Sequence, residues 1–297
     1  MRHIEKTTEP ADFIAWKTAH TDKINDLFAK YNAREITKSE KIWAYLPTKQ
    51  EEIPLEQDVK SYSKMDLRAV LVNEQGGICA YCGGRILANT RTRLEHVASK
   101  SRRIEGTFDY FNIVAACSGG QYTVHTIQKG DTLEKIAEKY ATTIDFICRL
   151  NPDLDCSENA ELEVKIGNAE LEIKIGTENI NVQVVFDHCD VKKGSNSIAI
   201  TPLHADCQSK FKYDMNGTVY GEGTKDVIDI LGLNDNPFIV EKRMSIRERI
   251  RTVAIILIRS DPRKFKTVKQ QKLEQLYANS HQFEEMAFVH EYAWNTF

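Results

Sequence analysis

Cysteine, histidine and acidic residues recur at short spacings in two parts of the chain. Thiolates bind zinc, whereas a carboxylate beside a histidine suits hydrolysis assisted by a hard metal ion. The two sets together predict a structural zinc site next to a hydrolytic metal centre of the kind that cleaves nucleic acids. The first part holds Cys79-Ala-Tyr-Cys82, Glu95-His96, Asn112 and Cys117, and the second is His188-Cys189-Asp190-Val-Lys-Lys193-Gly194.

Cys79 and Cys82 have the two-residue spacing that lets both sulfurs bind one Zn²⁺. The partner pair is split, because Cys117 is followed by Ser-Gly-Gly and Cys189 lies far downstream. If residues 121–187 form a separate module with neighbouring ends, Cys117 and Cys189 meet and complete a four-cysteine site. Alternatively these two are ordinary buried thiols, with Cys207 as a substitute ligand.

Glu95-His96 closes a short apolar and basic run, 91–97, which predicts a strand leading into a polar loop. A histidine there can take a proton from water near neutral pH, provided that its ring tautomer is fixed. Asn112 is predicted to position this ring or the nearby loop. We predict a catalytic Mg²⁺ or Mn²⁺ held by Glu95 and Asp190, with His188 as the alternative second ligand.

Positive charge concentrates around this histidine, where six basic residues and one acid fall within nineteen residues. We predict that they contact nucleic-acid phosphates together with Lys193, although a solvated loop is the alternative. The six are Arg85, Arg91, Arg93, Lys100, Arg102 and Arg103.

These segments resemble the HNH (ββα-metal) endonucleases, and more closely the HNH nucleases of retron and Septu anti-phage systems. The resemblance rests on "GGICAYCGGRI", "LEHVASKS", "FNIVAAC" and "HCDVKKGS", in residues 62–120 and 187–220. It implies that His96 is the general base, that Asn112 orients it, and that Glu95 and a residue of the final helix hold the metal. Asp190 takes that last position, although the family more often has Asn or His there.

The resemblance also implies a biological setting. Such an enzyme, with structural Zn²⁺ and catalytic Mg²⁺, cleaves DNA, or RNA such as tRNA, as the toxic effector of an anti-phage system. Its implied partners are a controlling ABC/SMC-like ATPase, the nucleic-acid substrate, and a retron reverse transcriptase with its msDNA. Two other classes stay open: a non-catalytic zinc module that binds nucleic acid or the ATPase, and a glycan-binding protein.

The segment 122–187 differs from the rest of the chain in charge. It holds six Lys/Arg and thirteen Asp/Glu, a net charge of −7, so that with −3 for the whole chain the remainder carries +4. The sequence "YTV…KGDTLEKIAEKY…TTIDFICRLNPDL" resembles a LysM module, a small βααβ domain that binds amino-sugar glycans. Because an acidic module repels nucleic acid, we predict that it docks a protein partner, with an inert spacer as the alternative.

A tandem repeat follows in this segment, at 159–167 and 168–176. Its apolar and charged residues alternate strictly, which predicts two strands.

The elements that must position these residues are predicted to form an α+β protein. We expect a ββα-metal core with zinc knuckles, helical flanks and an inserted βααβ LysM-like domain. Helical periodicity extends over 11–31, 65–73, 239–259 and 264–297, with a break at Asp261-Pro262, and a hairpin is predicted at Gly217. The predicted domains are a helical region 1–61, a nuclease domain split into 62–120 and 187–222, the insertion 121–186, and a helical region 223–297.

The absence of any apolar run near the twenty or so residues that span a bilayer predicts no membrane contact. Residues 1–6 lack an apolar signal segment. We therefore expect a cytoplasmic protein with reduced cysteines.

Overall fold

The computed structural model describes residues 1–6, 8–50, 61–119, 121–126, 132–139, 172–175, 183–184 and 188–297. They divide into two compact units, one of Met1–Ser118 with His188–Phe297 and one of Gly119–Asp187. The sequence predicted an insertion at 121–186, and the second unit has nearly the same bounds. Among the described helices, none has the length and apolar character required to cross a bilayer.

Helices and small antiparallel sheets make this an α+β protein. In chain order the elements are α1 (Ala11–Ala19), α2 (Thr21–Asn32), α3 (Ser39–Trp43), α4 (Lys64–Glu74), β1 (Arg93–His96), β2 (Ile113–Ala116), β3 (Gln121–Thr126), α5 (Leu133–Lys139), β4 (Glu172–Ile175), β5 (Gln183–Val184), α6 (Cys189–Lys193), α7 (Cys207–Lys210), β6 (Lys212–Tyr213), β7 (Val219–Tyr220), α8 (Lys225–Leu231), α9 (Pro237–Ser260), α10 (Pro262–Leu276) and α11 (Ala287–Asn295). Two 3-10 turns, Ile104–Phe108 and Tyr110–Asn112, lie between β1 and β2.

The N-terminal helices buttress the segment that follows β1. The single helix predicted over 11–31 is wrong, because the backbone of His20 (φ −108°, ψ 13°) leaves the helical region and separates α1 from α2. Phe13 and Trp16 are buried, and the Trp16 ring lies 5.5 Å from that of Phe108 in the first 3-10 turn. This packing holds the loop after His96 against the core.

The C-terminal end of helix α4 is hydrogen-bonded both to the loop of the first cysteine pair and to strand β2. Ser63 and Asp66 form a capping box at its start, which satisfies backbone N–H groups that have no partner inside the helix. At its end the buried Gln75 side chain donates to the carbonyls of Ile78 and Ala115 and accepts from the Ala115 N–H. One amide therefore fixes the cysteine loop to β2.

Strands β1 and β2 pair antiparallel, with Glu95 opposite Val114 and His96 opposite Ile113. All four residues of β2 are buried. The strand predicted over 91–97 is therefore confirmed in its centre, and it places the acid and the histidine at the end of β1.

The C-terminal part is a set of three helices. Asp261 caps α10 through its side chain and Pro262 begins that helix, which confirms the predicted break. The continuous helix predicted over 264–297 is wrong, because the chain leaves helical geometry after Leu276 and resumes at Ala287, with Met286 at φ 53°. The hairpin of β6 and β7 with Gly217 at φ 78° is confirmed.

In the smaller unit, β3 lies between β4 and β5 and pairs antiparallel with both. Strand β4 falls in the second of the two predicted repeat strands. The first, at 159–167, lies outside the described residues.

Candidate metal and catalytic site

The first cysteine pair lies on a tight loop after α4. The Cys79 N–H donates to the Gly84 carbonyl and the Gly83 N–H donates to the Cys79 carbonyl. Gly83 has φ 76°, and a Cβ there would lie 2.4 Å from the Phe288 ring, so both backbone conformation and space require glycine. The loop directs both sulfurs to one side.

Cys79, Cys82, Cys117 and Cys189 converge, with their sulfurs all within 4.8 Å of one another. The Cys79–Cys189 and Cys82–Cys117 Sγ separations are 3.9 and 3.8 Å. Tetrahedral zinc with Zn–S bonds of about 2.3 Å requires sulfurs about 3.8 Å apart, so the residues fit this ion. The Cys117 N–H and Gly84 N–H also point at sulfurs, at 3.3 and 3.4 Å. The cluster is a site that can bind zinc.

The alternative that Cys117 and Cys189 are isolated buried thiols is therefore wrong. Cys207 is buried as well, but it lies outside the metal-ligand cluster found among the described residues.

His188 belongs to the surroundings of this zinc site. Its Nε2 lies 3.3 Å from the Cys117 sulfur and its Nδ1 lies 3.2 Å from the Asn236 amide nitrogen. Asn236 in turn caps α9 by accepting the Phe238 N–H. Because both ring nitrogens face these partners, the structure corrects the prediction of His188 as a ligand of the catalytic metal.

Glu95 lies in a buried polar cluster between β1 and α6. Its Oε1 is 2.7 Å from the Lys193 ammonium and accepts from the Tyr81 hydroxyl at 3.1 Å. Burial, together with the hydrogen bond to Asp190 and the charge of that residue, raises the pKa of Glu95 to about 8, against the opposing effect of Lys193.

Glu95 thus lies against the Lys193 ammonium and also against the Asp190 carboxyl. When both acids are ionised, these three side chains carry a net charge of −1. Glu95 and Asp190 are hard oxygen ligands, so their chemistry fits Mg²⁺ or Mn²⁺.

His96 has its ring orientation fixed by the backbone. Nε2 lies 2.9 Å from the Thr107 carbonyl oxygen, which only accepts hydrogen bonds, so Nε2 carries the proton and Nδ1 carries the lone pair. Burial and the charge of Lys100 lower the pKa of His96 to about 3, so the ring is neutral near pH 7. The Trp43 ring packs edge-on at 4.8 Å, and the Lys100 ammonium lies 3.5 Å from Nδ1. The side chain is 3% exposed.

Asn112 stabilises the loop rather than contacting the His96 ring. Its amide oxygen accepts the Ala98 N–H, and its amide nitrogen donates to the Ala98 and Gly106 carbonyls. Gly106 precedes Thr107, whose carbonyl holds His96. Of the two roles predicted for Asn112, these contacts favour positioning of the loop.

The basic residues predicted to contact nucleic acid separate into two groups. Arg91, Arg93, Arg102 and Arg103 are exposed, and Lys100 is half-buried. The Arg85 guanidinium donates to the carbonyls of Gly76, Gly77 and Phe283. It therefore stabilises the packing of these two segments.

Lys193 is fully buried, at 0% exposure, because it lies on α6 facing Glu95 and also donates to the His96 carbonyl. The structure corrects the prediction that Lys193 contacts phosphate.

Sequence reasoning missed several residues that shape this site. Tyr81, Trp43 and Thr107 contact the acid and the histidine from three different segments. Tyr81 stands inside the cysteine pair, which was a usable signal. Trp43 and Thr107 become neighbours of His96 only through the fold.

Comparison with known proteins gives one family match. A model of the LysM domain matches residues 125–165, which confirms the LysM resemblance of the insertion. No curated protein matches the chain.

Proposed function

We propose that this chain is a metal-dependent endonuclease of the HNH (ββα-metal) type, with structural Zn²⁺ and catalytic Mg²⁺ or Mn²⁺. Its substrate is DNA, or RNA such as tRNA. It acts as the toxic effector of a retron- or Septu-type anti-phage system under the control of an ABC/SMC-like ATPase. In a retron setting, the reverse transcriptase and its msDNA are further partners.

The observation that carries the proposal is the set of contacts made by His96 and Glu95 at the end of β1. The Thr107 carbonyl assigns the proton of His96 to Nε2, which leaves Nδ1 as a base. On the adjacent residue, Glu95 meets Asp190 and Lys193 from α6, so that two strands and a helix surround one polar cluster. The four-cysteine site joins α6 to the loop after α4.

Each residue has a role in this proposal. His96 Nδ1 takes the proton of the attacking water, which requires that the Lys100 ammonium leave its position at 3.5 Å. Glu95 and Asp190 would hold the hard metal ion, which stabilises negative charge on the phosphate when bound. Asn112 and Thr107 keep the ring oriented. The exposed arginines on and around β1, Arg91, Arg93, Arg102 and Arg103, attract the phosphate backbone.

The test is a cleavage assay of the full chain with plasmid DNA, total RNA and tRNA, with Mg²⁺, Mn²⁺ or EDTA, alone and with the ATPase from the same gene cluster. We expect cleavage that requires the metal and falls by at least about 100-fold in Glu95→Gln, since a bound metal ion would take the ionised form of Glu95 and an amide cannot supply that form. The control is Glu105→Gln, an exposed acid in the 3-10 turn that follows β1. Silence of the wild-type chain under every condition would favour the non-catalytic zinc module.

The LysM match supports a second candidate, glycan binding by residues 125–165. In this case we expect the full chain to bind chitotetraose and to bind cellotetraose at least about 10-fold more weakly, because only the former carries N-acetyl groups. Isothermal titration calorimetry measures both. Equal or absent binding of the two sugars would reject this candidate without affecting the nuclease proposal.

A further inference from the structure

A cavity of about 370 Å³ lies among the three C-terminal helices α9, α10 and α11. This volume lies in the range of small-molecule sites, which begins at about 300 Å³. None of the candidate metal-binding or catalytic residues lines this cavity. Its walls are mainly apolar and are formed by Ile250, Val253, Val268, Leu276 and Trp294.

One polar side chain in this lining is buried and has no partner. His290 is 7% exposed, and within the described part of the chain neither of its ring nitrogens has a hydrogen-bond partner. Both ring nitrogens keep some accessible surface, so a ligand that enters the cavity can reach them. Burial and the charge of Arg249 lower the pKa of His290 to about 4, so the ring is neutral near pH 7 and offers one N–H and one lone pair.

The lining also carries an excess of positive charge. Arg249 and Lys272 contribute two cations, against the single acid Glu284. Lys272 donates to the nearby Gln275 side chain at 3.1 Å, and Arg249 forms no ion pair with an acid in the described residues. A ligand that matches this lining has an apolar ring system, a heteroatom for His290 and an anionic group for Arg249 and Lys272.

We propose that this cavity binds a heteroaromatic anion of nucleotide size, with a ring against Trp294 and His290 and an anionic group at Arg249. An indole offers a flat surface on which aromatic rings stack, and arginine is suited to phosphate because it presents several donors in one plane. The site is independent of the proposed nuclease, whose nucleic acid lies at His96.

The test titrates the full chain with AMP, GMP, CMP and UMP by isothermal calorimetry, with adenosine and inorganic phosphate as partial ligands. We expect at least one nucleotide to bind with a dissociation constant on the order of 10–100 μM and both partial ligands to bind at least about 10-fold more weakly. Arg249→Gln should weaken binding about 10-fold or more. The matched control is Arg259→Gln, an exposed arginine of the same helix outside the cavity.

Two further variants separate this site from others. His290→Gln should also weaken binding, whereas His96→Ala should leave it unchanged. Arg249 is exposed, so its replacement tests the site even if His290→Gln fails to fold. The proposal is overturned if none of the four nucleotides binds, if Arg249→Gln binds like the wild type, or if His96→Ala abolishes binding.

Discussion

Replacement of His96 by alanine should lower the cleavage rate by about 100- to 10,000-fold, which is the usual contribution of a general base. The effect follows from the geometry of the ring. Since the Thr107 carbonyl fixes the proton on Nε2, the ring's free lone pair is on Nδ1, and alanine removes it. Burial and the charge of Lys100 lower the pKa of His96 to about 3, so in this arrangement the ring is a neutral base near pH 7. Single-turnover cleavage at saturating Mg²⁺ measures the loss.

The matched control is His20→Ala. His20 also packs against aromatic rings, those of Trp16 and Tyr45, and its Nδ1 lies 2.7 Å from the Trp16 carbonyl oxygen, but it is remote from β1 in sequence. Both variants should keep the zinc content and far-UV circular dichroism of the wild type. A His96→Ala chain that retains zinc and cuts at the wild-type rate would remove the histidine from the mechanism.

Loss of the zinc site should unfold the larger unit. Structural zinc binds zinc-finger peptides with about 10–16 kcal/mol at pH 7, which is comparable to the whole stability of a typical domain, about 5–15 kcal/mol. Cys189→Ser removes a fully buried ligand, and the remaining three sulfurs bind the ion more weakly. We expect loss of bound zinc and of the cooperative thermal transition, measured by elemental analysis and calorimetry.

The control for this variant is Cys207→Ser, which also replaces a buried thiol but leaves the four-cysteine cluster intact. It should lower the melting temperature while keeping about one zinc per chain. Equal zinc content in both serine variants would show that Cys189 is not a ligand. A chelator should reproduce the Cys189→Ser result in the wild-type chain.

Short-range spacing was the most informative part of the sequence. The Cys79–Cys82 spacing, the acid–histidine pair at a strand end and the break at Asp261-Pro262 each depend on neighbouring residues, and local geometry determines them. The prediction that Cys117 and Cys189 lie close together required one added assumption, that the ends of the insertion are neighbours. The sulfur distances agree with it.

Contacts between distant segments were harder to predict. Lys193 follows Asp190 by three residues, so a helix places both on one face, and this spacing could have indicated that Lys193 faces the acids. Trp43 and the Thr107 carbonyl carry no such signal, since each reaches His96 from another element. The helix predicted over 264–297 failed because apolar residues continue at helical spacing while Met286 adopts left-handed geometry.

The insertion begins and ends beside two ligands of the same zinc site, Cys117 and Cys189. A zinc ion bound there would hold both ends of the intervening chain, so the larger unit would depend little on the length of that chain. Each doubling of a loop costs only about 0.6 kcal/mol in closure entropy. The larger unit should therefore tolerate insertions of different lengths at this point of the chain.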